Sequence, residues 1–318
     1  MGPLVACALA AALSHAAFAR HLLVAVVDDK QTPIVNYSPE TVAFSFSAEN
    51  PVRGTWQVGE TDPRVGPPFY DGVSPEQIEL IYYGPDEVLI TWSTGNATTY
   101  VGDVRARDLS DESSEVRLKA TAAGVATYAG EVAQYSYNYA SNIPGGKNYT
   151  SDAIHRVRVG SLVPGETYAY IVGSSSGVWS DERSFSMPPA AGTYPVTFGL
   201  AGDGGQTYNS STTYDHLLSS DPDMVVWLGD LSYSDDRYSN GSDYKFLSNS
   251  ADSLFWVTML SFFGTYQPRW DMWGRLAEPL TSSRPFANIV SNHETERQSD
   301  GTEFTSFNHR VPLITHAS

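Results

Sequence analysis

Gly202-Asp203-Gly204-Gly205, Gly229-Asp230-Leu231-Ser232-Tyr233 and Ser291-Asn292-His293-Glu294 decide how this chain reads. Each follows a short apolar run: Val196-Thr197-Phe198-Gly199-Leu200-Ala201, Met224-Val225-Val226-Trp227-Leu228, and Phe286-Ala287-Asn288-Ile289-Val290. Apolar runs of this length ending in Gly, Asp or Asn, with helix-capable segments between them, predict parallel strands in an α/β layer. Functional groups in such sheets gather beyond the carboxyl ends of the strands. Asp203, Asp230, Tyr233 and Asn292 are therefore expected at one edge. All four offer oxygen, and a cluster of hard oxygen donors suits hard cations.

Taken singly, each residue has a plainer reading. An aspartate between glycines at a strand end can simply cap a helix. Asp230, however, repeats the geometry of Asp203 one strand later, and two such carboxylates can bind one cation or bridge two. Tyr233 lies three residues beyond Asp230, so a turn can bring both side chains to one ion, or the ring can merely pack over the loop. A phenol titrates near ~10 in water. It ligates as phenolate only where a strongly Lewis-acidic cation displaces its proton, which points to Fe3+ rather than Mg2+ or Ca2+. Asp235 and Asp236 read as a solvated turn, and His155 and His216 as structural or exposed.

Composition narrows the class. The chain has 318 residues, a hydrophobic fraction of 41% and a formal net charge of -17. That length accommodates two domains. The acidic balance argues against nucleic acid as a partner, because backbone binding needs clustered Lys and Arg. It leaves a phosphate substrate open, since bound cations reverse the local field. Leu4 to Ala19 is almost entirely small and apolar, with Ala17-Phe18-Ala19 before Arg20. This matches a secretory leader over 1–19; the competing reading is a buried N-terminal helix. The stretch is short for a membrane span, and no later segment approaches one. Cys7, the single cysteine, lies inside the leader, so thiol catalysis and Cys-based zinc sites are excluded. Acceptor sequons at Asn36, Asn96, Asn148, Asn209 and Asn240 fit a secreted, glycosylated surface.

The organisation expected is a leader (1–19), an N-terminal extension (20–73) with a strand at Val42–Phe46, a β-sandwich (74–187) and an α/β domain (194–318), joined by the linker Pro188-Pro189-Ala190-Ala191-Gly192. Within the sandwich, strands are predicted at 77–83, 87–93, 133–139, 154–159, 167–172 and 183–187. Leu162-Val163-Pro164-Gly165-Glu166-Thr167-Tyr168 is similar to the fibronectin type III string L-x-P-G-x-x-Y, in which the tyrosine hydroxyl bonds back to the main chain. Trp92 is the expected core aromatic; sugar stacking by Trp92 or Tyr168 is the weaker alternative. A helix is predicted around 213–219, and one or two more within 254–280.

The ordered strings resemble the opening motifs of the purple acid phosphatases, within the calcineurin-like metallophosphoesterases: G-D-x-G, G-D-x-x-Y and G-N-H-[ED]. The similarity runs from about Ser74 to about Pro312. It takes in Gly84-Pro85-Asp86-Glu87, Ile90-Thr91-Trp92, Gln267-Pro268-Arg269-Trp270-Asp271 and Trp273-Gly274-Arg275-Leu276. The resemblance implies a fibronectin type III-like sandwich followed by a metallophosphoesterase α/β domain. It implies an acid phosphatase that hydrolyses phosphate monoesters at a pair of metals, Fe3+ with Zn2+, Mn2+ or Fe2+, which activate water and bind the phosphoryl oxygens. In it Asp203 binds the first metal, Asp230 bridges both, Tyr233 supplies the phenolate, Asn292 serves the second metal, and His293 is a catalytic hydrogen-bond or proton donor beside the phosphate. It leaves a homodimer open.

Two departures carry expectations. Ser291 stands where the family has glycine, so its Cβ is expected to crowd the turn. The family's further motifs, V-x-x-H and G-H-x-H, have no counterpart; after His293 only His309 and His316 occur. The catalytic domain is thus expected to be incomplete, with an apolar face uncovered and with little activity of its own. The alternatives are a non-catalytic secreted glycoprotein or binding module built from a phosphatase, or, within the family, a nucleotide diphosphatase, phosphodiesterase or phytase.

Overall fold

A computed structural model of the chain describes residues 23–27, 33–35, 58, 62–66, 73–95, 109, 112–120, 124–137, 149–174, 177–235, 265, 267–298 and 300–313. The leader, the expected strand at Val42–Phe46, residues 254–264 of the second helical region, His316 and the sequons at Asn36, Asn96, Asn148 and Asn240 lie outside them.

Strands β1 (Leu23–Val27) and β2 (Pro33–Val35) come first, followed by the hairpin of β3 (Glu76–Gly84) and β4 (Glu87–Thr94) across the Pro85-Asp86 turn. Next come β5 (Glu115–Ala120), β6 (Val125–Ala129), β7 (Glu131–Ala133), β8 (Ser136–Tyr137), β9 (Tyr149–Thr150), β10 (Ala153–Val159), β11 (Thr167–Gly173) and β12 (Arg183–Ser186). Two layers form the sandwich. One is ordered β3-β4-β10-β7 and the other β12-β11-β5-β6. Between them Ile78, Leu80, Val88, Ile90, Trp92, Val116, Leu118, Val157, Tyr170 and Phe185 close a core. Each large apolar side chain buried there contributes roughly 1.5–3 kcal/mol. Trp92 is buried as expected and stacks on His155 at 4.9 Å. The hydroxyl of Tyr168 accepts from the Val163 N–H at 2.8 Å, the corner bond anticipated for its string.

The α/β part runs β13 (Val196–Ala201), α1 (Tyr208–Ser219), β14 (Met224–Trp227), α2 (Pro268–Thr281), β15 (Phe286–Asn288), a 3-10 turn (Asn292–Glu294) and α3 (Thr305–Arg310). β13, β14 and β15 are parallel neighbours, as the sequence predicts. Helix α1 begins earlier than expected because Thr207 and Ser210 form a reciprocal cap: the Ser210 N–H donates to Thr207 Oγ1, and the Thr207 N–H donates to Ser210 Oγ. Pro268 opens α2, where its missing N–H is harmless. Trp270, Trp273 and Trp227 pack edge to face beneath it, in the packing role expected of the first two.

The two parts share one sheet. Its nine strands are ordered β2-β1-β13-β14-β15-β3-β4-β10-β7, with β15 parallel to β3 at Phe286 and Ile81. β1 covers the far side of β13 in antiparallel register, so residues of the N-terminal extension belong to the α/β sheet. Both outer edges of the three-strand parallel unit are therefore occupied. The exposed large apolar side chains among the described residues are the isolated Val73, Val125, Val163, Val178 and Ile289. β1 and β3 thus occupy the edges beside β13 and β15, which is a separate matter from the apolar face expected to lie uncovered in an incomplete layer.

Candidate metal centre at the strand ends

The parallel register sets Ala201 beside Trp227 and Trp227 beside Asn288, so the three loops leave the sheet side by side. The ladder continues into them. Leu228 N–H donates to the Ala201 carbonyl at 2.7 Å, Gly204 N–H to that of Asp230 at 2.8 Å, and Gly205 N–H to that of Leu231 at 2.8 Å. Gly229 has φ +82°, and a Cβ there would lie 2.5 Å from the Ser291 Cβ. Only glycine fits that approach.

Eight non-glycine residues among those described have positive φ, and Asp203 (52°), Asp230 (55°) and Tyr233 (51°) are three of them. Left-handed backbone at non-glycine residues costs energy and concentrates where a surrounding structure imposes it for function. Here it turns the side chains toward one another. Tyr233 Oη donates to Asp203 Oδ1 at 2.7 Å. The His293 N–H donates to Asp230 Oδ1 at 3.0 Å, and the Tyr233 and His293 rings lie 4.1 Å apart. Asp230 is buried, whereas Asp203 and Asn292 are exposed. The Asn292 carbonyl oxygen accepts from Ser291 Oγ at 3.4 Å, leaving it lightly engaged.

From sequence, Asp235 belongs to a solvated turn. The structure instead places its Oδ1 2.8 Å from His293 Nδ1. An ionised carboxylate only accepts, so Nδ1 carries the hydrogen and the Nε2 edge is directed away from Asp235. Nothing in the spacing signalled this partner; the contact depends on how Tyr233 and His293 stack.

Glu294 closes the third string. Its buried carboxylate accepts from the N–H groups of Asp230 (2.8 Å), Leu231 (2.7 Å) and Ser291 (2.9 Å). Burial pushes its pKa up, while the three donors pull it back down. The Ser291-x-x-Glu294 spacing is a capping-box signature that could have identified it. Ser291 itself adopts φ -133°, ψ -166°, extended backbone open to any residue. Its Cβ crowds the neighbouring loop as expected, and glycine at 229 accommodates it. Glu296 is also buried and is engaged by Ser234 Oγ, Thr265 Oγ1 (2.6 Å) and Trp270 Nε1 (3.1 Å).

The other histidines stand elsewhere. His155 is buried in the sandwich between Thr94 and Ser114, and His216 is half-buried in the last turn of α1. The His309 ring rests 5.1 Å from Tyr135 at the sandwich seam. Among the described residues no group of three or more His, Cys, Asp and Glu side chains is placed to hold a metal; the strand-end set has Asp203 and Asp230, with Tyr233 and Asn292 as the other oxygens. The phenol of Tyr233 on Asp203 marks a position where a hard cation can replace a proton, so these oxygens fit such an ion.

Residues 75–187 match the family model described as Purple acid Phosphatase, N-terminal domain. The chain is 37% identical to purple acid phosphatase 23 of Arabidopsis thaliana over 87% of its own length and 59% of that protein's. It is 34% identical to Fe(3+)-Zn(2+) purple acid phosphatase 12 of the same plant over 50% of this chain and 29% of that protein. The solved structure of purple acid phosphatase PPD1 from yellow lupin superposes with a TM-score of 0.53 at 18% identity, covering 77% of this chain and 42% of that one, which speaks to fold alone. The chain spans about half the length of the curated relatives it matches. The match of residues 75–187 to the family's N-terminal domain and the 37% identity over 87% of the chain place it in the purple acid phosphatase family.

Proposed function

We propose that the protein hydrolyses phosphate monoesters as a secreted, metal-dependent acid phosphatase. The observation that carries this reading is the 2.7 Å contact of Tyr233 Oη with Asp203 Oδ1, beside a buried Asp230 pinned by the His293 N–H. Asp203, Tyr233 and Asp230 would hold Fe3+, and Asp230 with Asn292 would face a divalent ion, Zn2+, Mn2+ or Fe2+. Such a pair, when bound, supplies an activated water and neutralises phosphoryl charge. The chain's own residues do the rest. Asp203 and Asp230 bring negative charge to the strand ends, and Tyr233 gives a phenol able to lose its proton. His293, held through Nδ1 by Asp235, leaves its Nε2 edge available; in the imidazolium form both ring nitrogens carry hydrogen, and Nε2 would then serve as a hydrogen-bond or proton donor to the phosphoryl group. The similarity to a relative named for Fe3+ and Zn2+ supports the choice of metals. No helix among the described residues is long and apolar enough to cross a membrane; secretion rests on the leader at 1–19.

Among the described residues the divalent ion would have only Asp230 and Asn292, so residues 1–318 by themselves are expected to turn over little substrate while still binding Fe3+. The test is to express residues 20–318, titrate Fe3+ and follow visible absorption from a phenolate-to-iron transition, then assay a chromogenic phosphate monoester at acid pH. The expected result is a band abolished by Tyr233→Phe and by Asp230→Ala. A protein whose spectrum is the same with and without Asp230 would overturn the assignment.

A further inference from the structure

The loop 230–235 carries Asp230, Tyr233 and Asp235, and two buried carboxylates from one neighbouring segment grip it at opposite ends. Glu294 takes the N–H groups of Asp230 and Leu231 at the loop's start and, through Oε2, also the Ser291 N–H. Glu296 engages Ser234 Oγ at the loop's end and ties it to Thr265 and Trp270 of the α2 entrance. The Glu296 carbonyl in turn accepts from Tyr137 Oη of the sandwich at 3.0 Å. We propose that Glu294 and Glu296 are positioning residues, which hold loop 230–235 in the left-handed conformation that presents Asp230 and Tyr233 to the first cation. This rests on reading those two residues as ligands.

The physical case is one of valence. A carboxylate can accept several N–H bonds at once, whereas an amide has a single acceptor oxygen. At Glu294, Oε1 serves Leu231 and Oε2 serves both Asp230 and Ser291. Glu294→Gln therefore turns an NH2 group toward at least one buried N–H in either orientation. Asp230 and Tyr233 sit at φ 55° and 51°, a conformation the loop abandons once its restraints weaken. Neither glutamate is offered as a ligand, because the oxygens of Glu294 are taken up by the N–H groups of Asp230, Leu231 and Ser291, and those of Glu296 by Ser234, Thr265 and Trp270.

The experiment uses residues 20–318 with three readouts: far-UV circular dichroism with thermal melting, Fe3+ titration by the visible band, and amide hydrogen exchange of peptides covering 228–235 without metal. Glu294→Gln is expected to keep its secondary structure and cooperative melt, to speed exchange in 228–235 at least tenfold with β3 and β4 unchanged, and to weaken Fe3+ binding at least tenfold. Should that variant lose its cooperative melt, Glu296→Gln tests the same loop from its other end with the same expectation. Wild-type exchange and Fe3+ affinity in a folded variant, with Asp230→Ala still abolishing the band, overturn the positioning role and leave the ligand reading standing. Absence of the band in the unmutated protein overturns the ligand reading, and the positioning role falls with it.

Discussion

Gly229 is the residue on which the approach of two loops depends. Its φ of +82° and the 2.5 Å separation that a Cβ would have from the Ser291 Cβ oppose any side chain. Gly229→Ala is expected to destabilise the fold by about 1–3 kcal/mol, read as a lowered melting midpoint. Adding Ser291→Gly should recover part of the loss, since the Ser291 N and Ile289 O would still stand 3.0 and 3.2 Å from the new Cβ. Charge at single residues gives a second expectation. Burial pushes the Glu79 carboxyl up to about 8, against the pull of Arg310, and pushes Asp152 up to about 7, helped by Asp271 and Glu76. Both groups therefore hold protons in the folded chain that the unfolded chain releases near its ordinary carboxylate pKa. Below that ordinary value the two states bind protons alike and no effect remains; above it stability declines as pH rises through about 7 and 8. Thermal melts between pH 5 and pH 8.5 should show the midpoint falling, and Glu79→Gln should flatten the dependence. A midpoint that rises over this range would contradict the assignment of buried, protonated carboxyls.

At the scale of elements, α3 shows how a short helix of six residues is kept in place. Arg310 at its end donates to Tyr135 Oη, Gln77 Oε1, Tyr149 Oη and Asp271 Oδ1, reaching the sandwich, β3 and α2 at once. Asp271 is buried with it at 2.7 Å. Arg310→Met leaves that carboxylate uncompensated, and removing one partner of a buried pair costs about 3–5 kcal/mol. Chemical denaturation should show a loss of that size, reduced when Asp271→Asn is combined with it. The same network explains what the sequence could and could not disclose. β10 and β11 were legible because their apolar residues alternate, and the ends of β13, β14 and β15 because Gly-Asp and Asn-His stop apolar runs. Gln77 and Glu79 alternate with Ile78 and Leu80 in β3 and read as a solvent face, yet both are buried. Their face meets α2 and α3, and no local pattern announces a helix that lies 200 residues away. β6 is exposed along most of its length and has no buried face to create a pattern, whereas β5 does alternate, with Val116 and Leu118 buried and Arg117 and Lys119 exposed, a signal that could have identified it. The ligand candidates were legible because their residue types carry the chemistry. Asp235, Glu294 and Glu296 act through hydrogen bonds, and only the folded chain reveals which donors they meet.

For the whole molecule, the sandwich and the α/β part are tied by more than the linker. Phe286 of β15 pairs with Ile81 of β3, Tyr170 Oη donates to the Ser282 carbonyl at 2.6 Å, and Arg183 pairs with Glu278. Tyr137 reaches the Glu296 carbonyl beside the strand-end loops. With buried contacts of this kind across the seam, the described parts should unfold together, as one calorimetric transition whose van't Hoff and calorimetric enthalpies agree. Two well-separated transitions would show that the seam transmits little.

The strand that completes this sheet is the last to be made. β3 ends at Gly84, but the neighbour that pairs with its outer side, at Ile81, begins at Phe286. On a ribosome adding about 5–20 residues per second, β3 waits roughly 10–40 s with one row of backbone donors and acceptors unpaired. An edge left open for so long invites pairing with another nascent chain. Glu76 and Glu79, which the finished fold must bury, set negative charge on that waiting edge and discourage such pairing. A chain halted at Thr281 is accordingly expected to self-associate, more so with Glu79→Val. Equal monomer content for the halted and the 318-residue chains in light scattering would refute this account of why so costly a pair of carboxylates is kept.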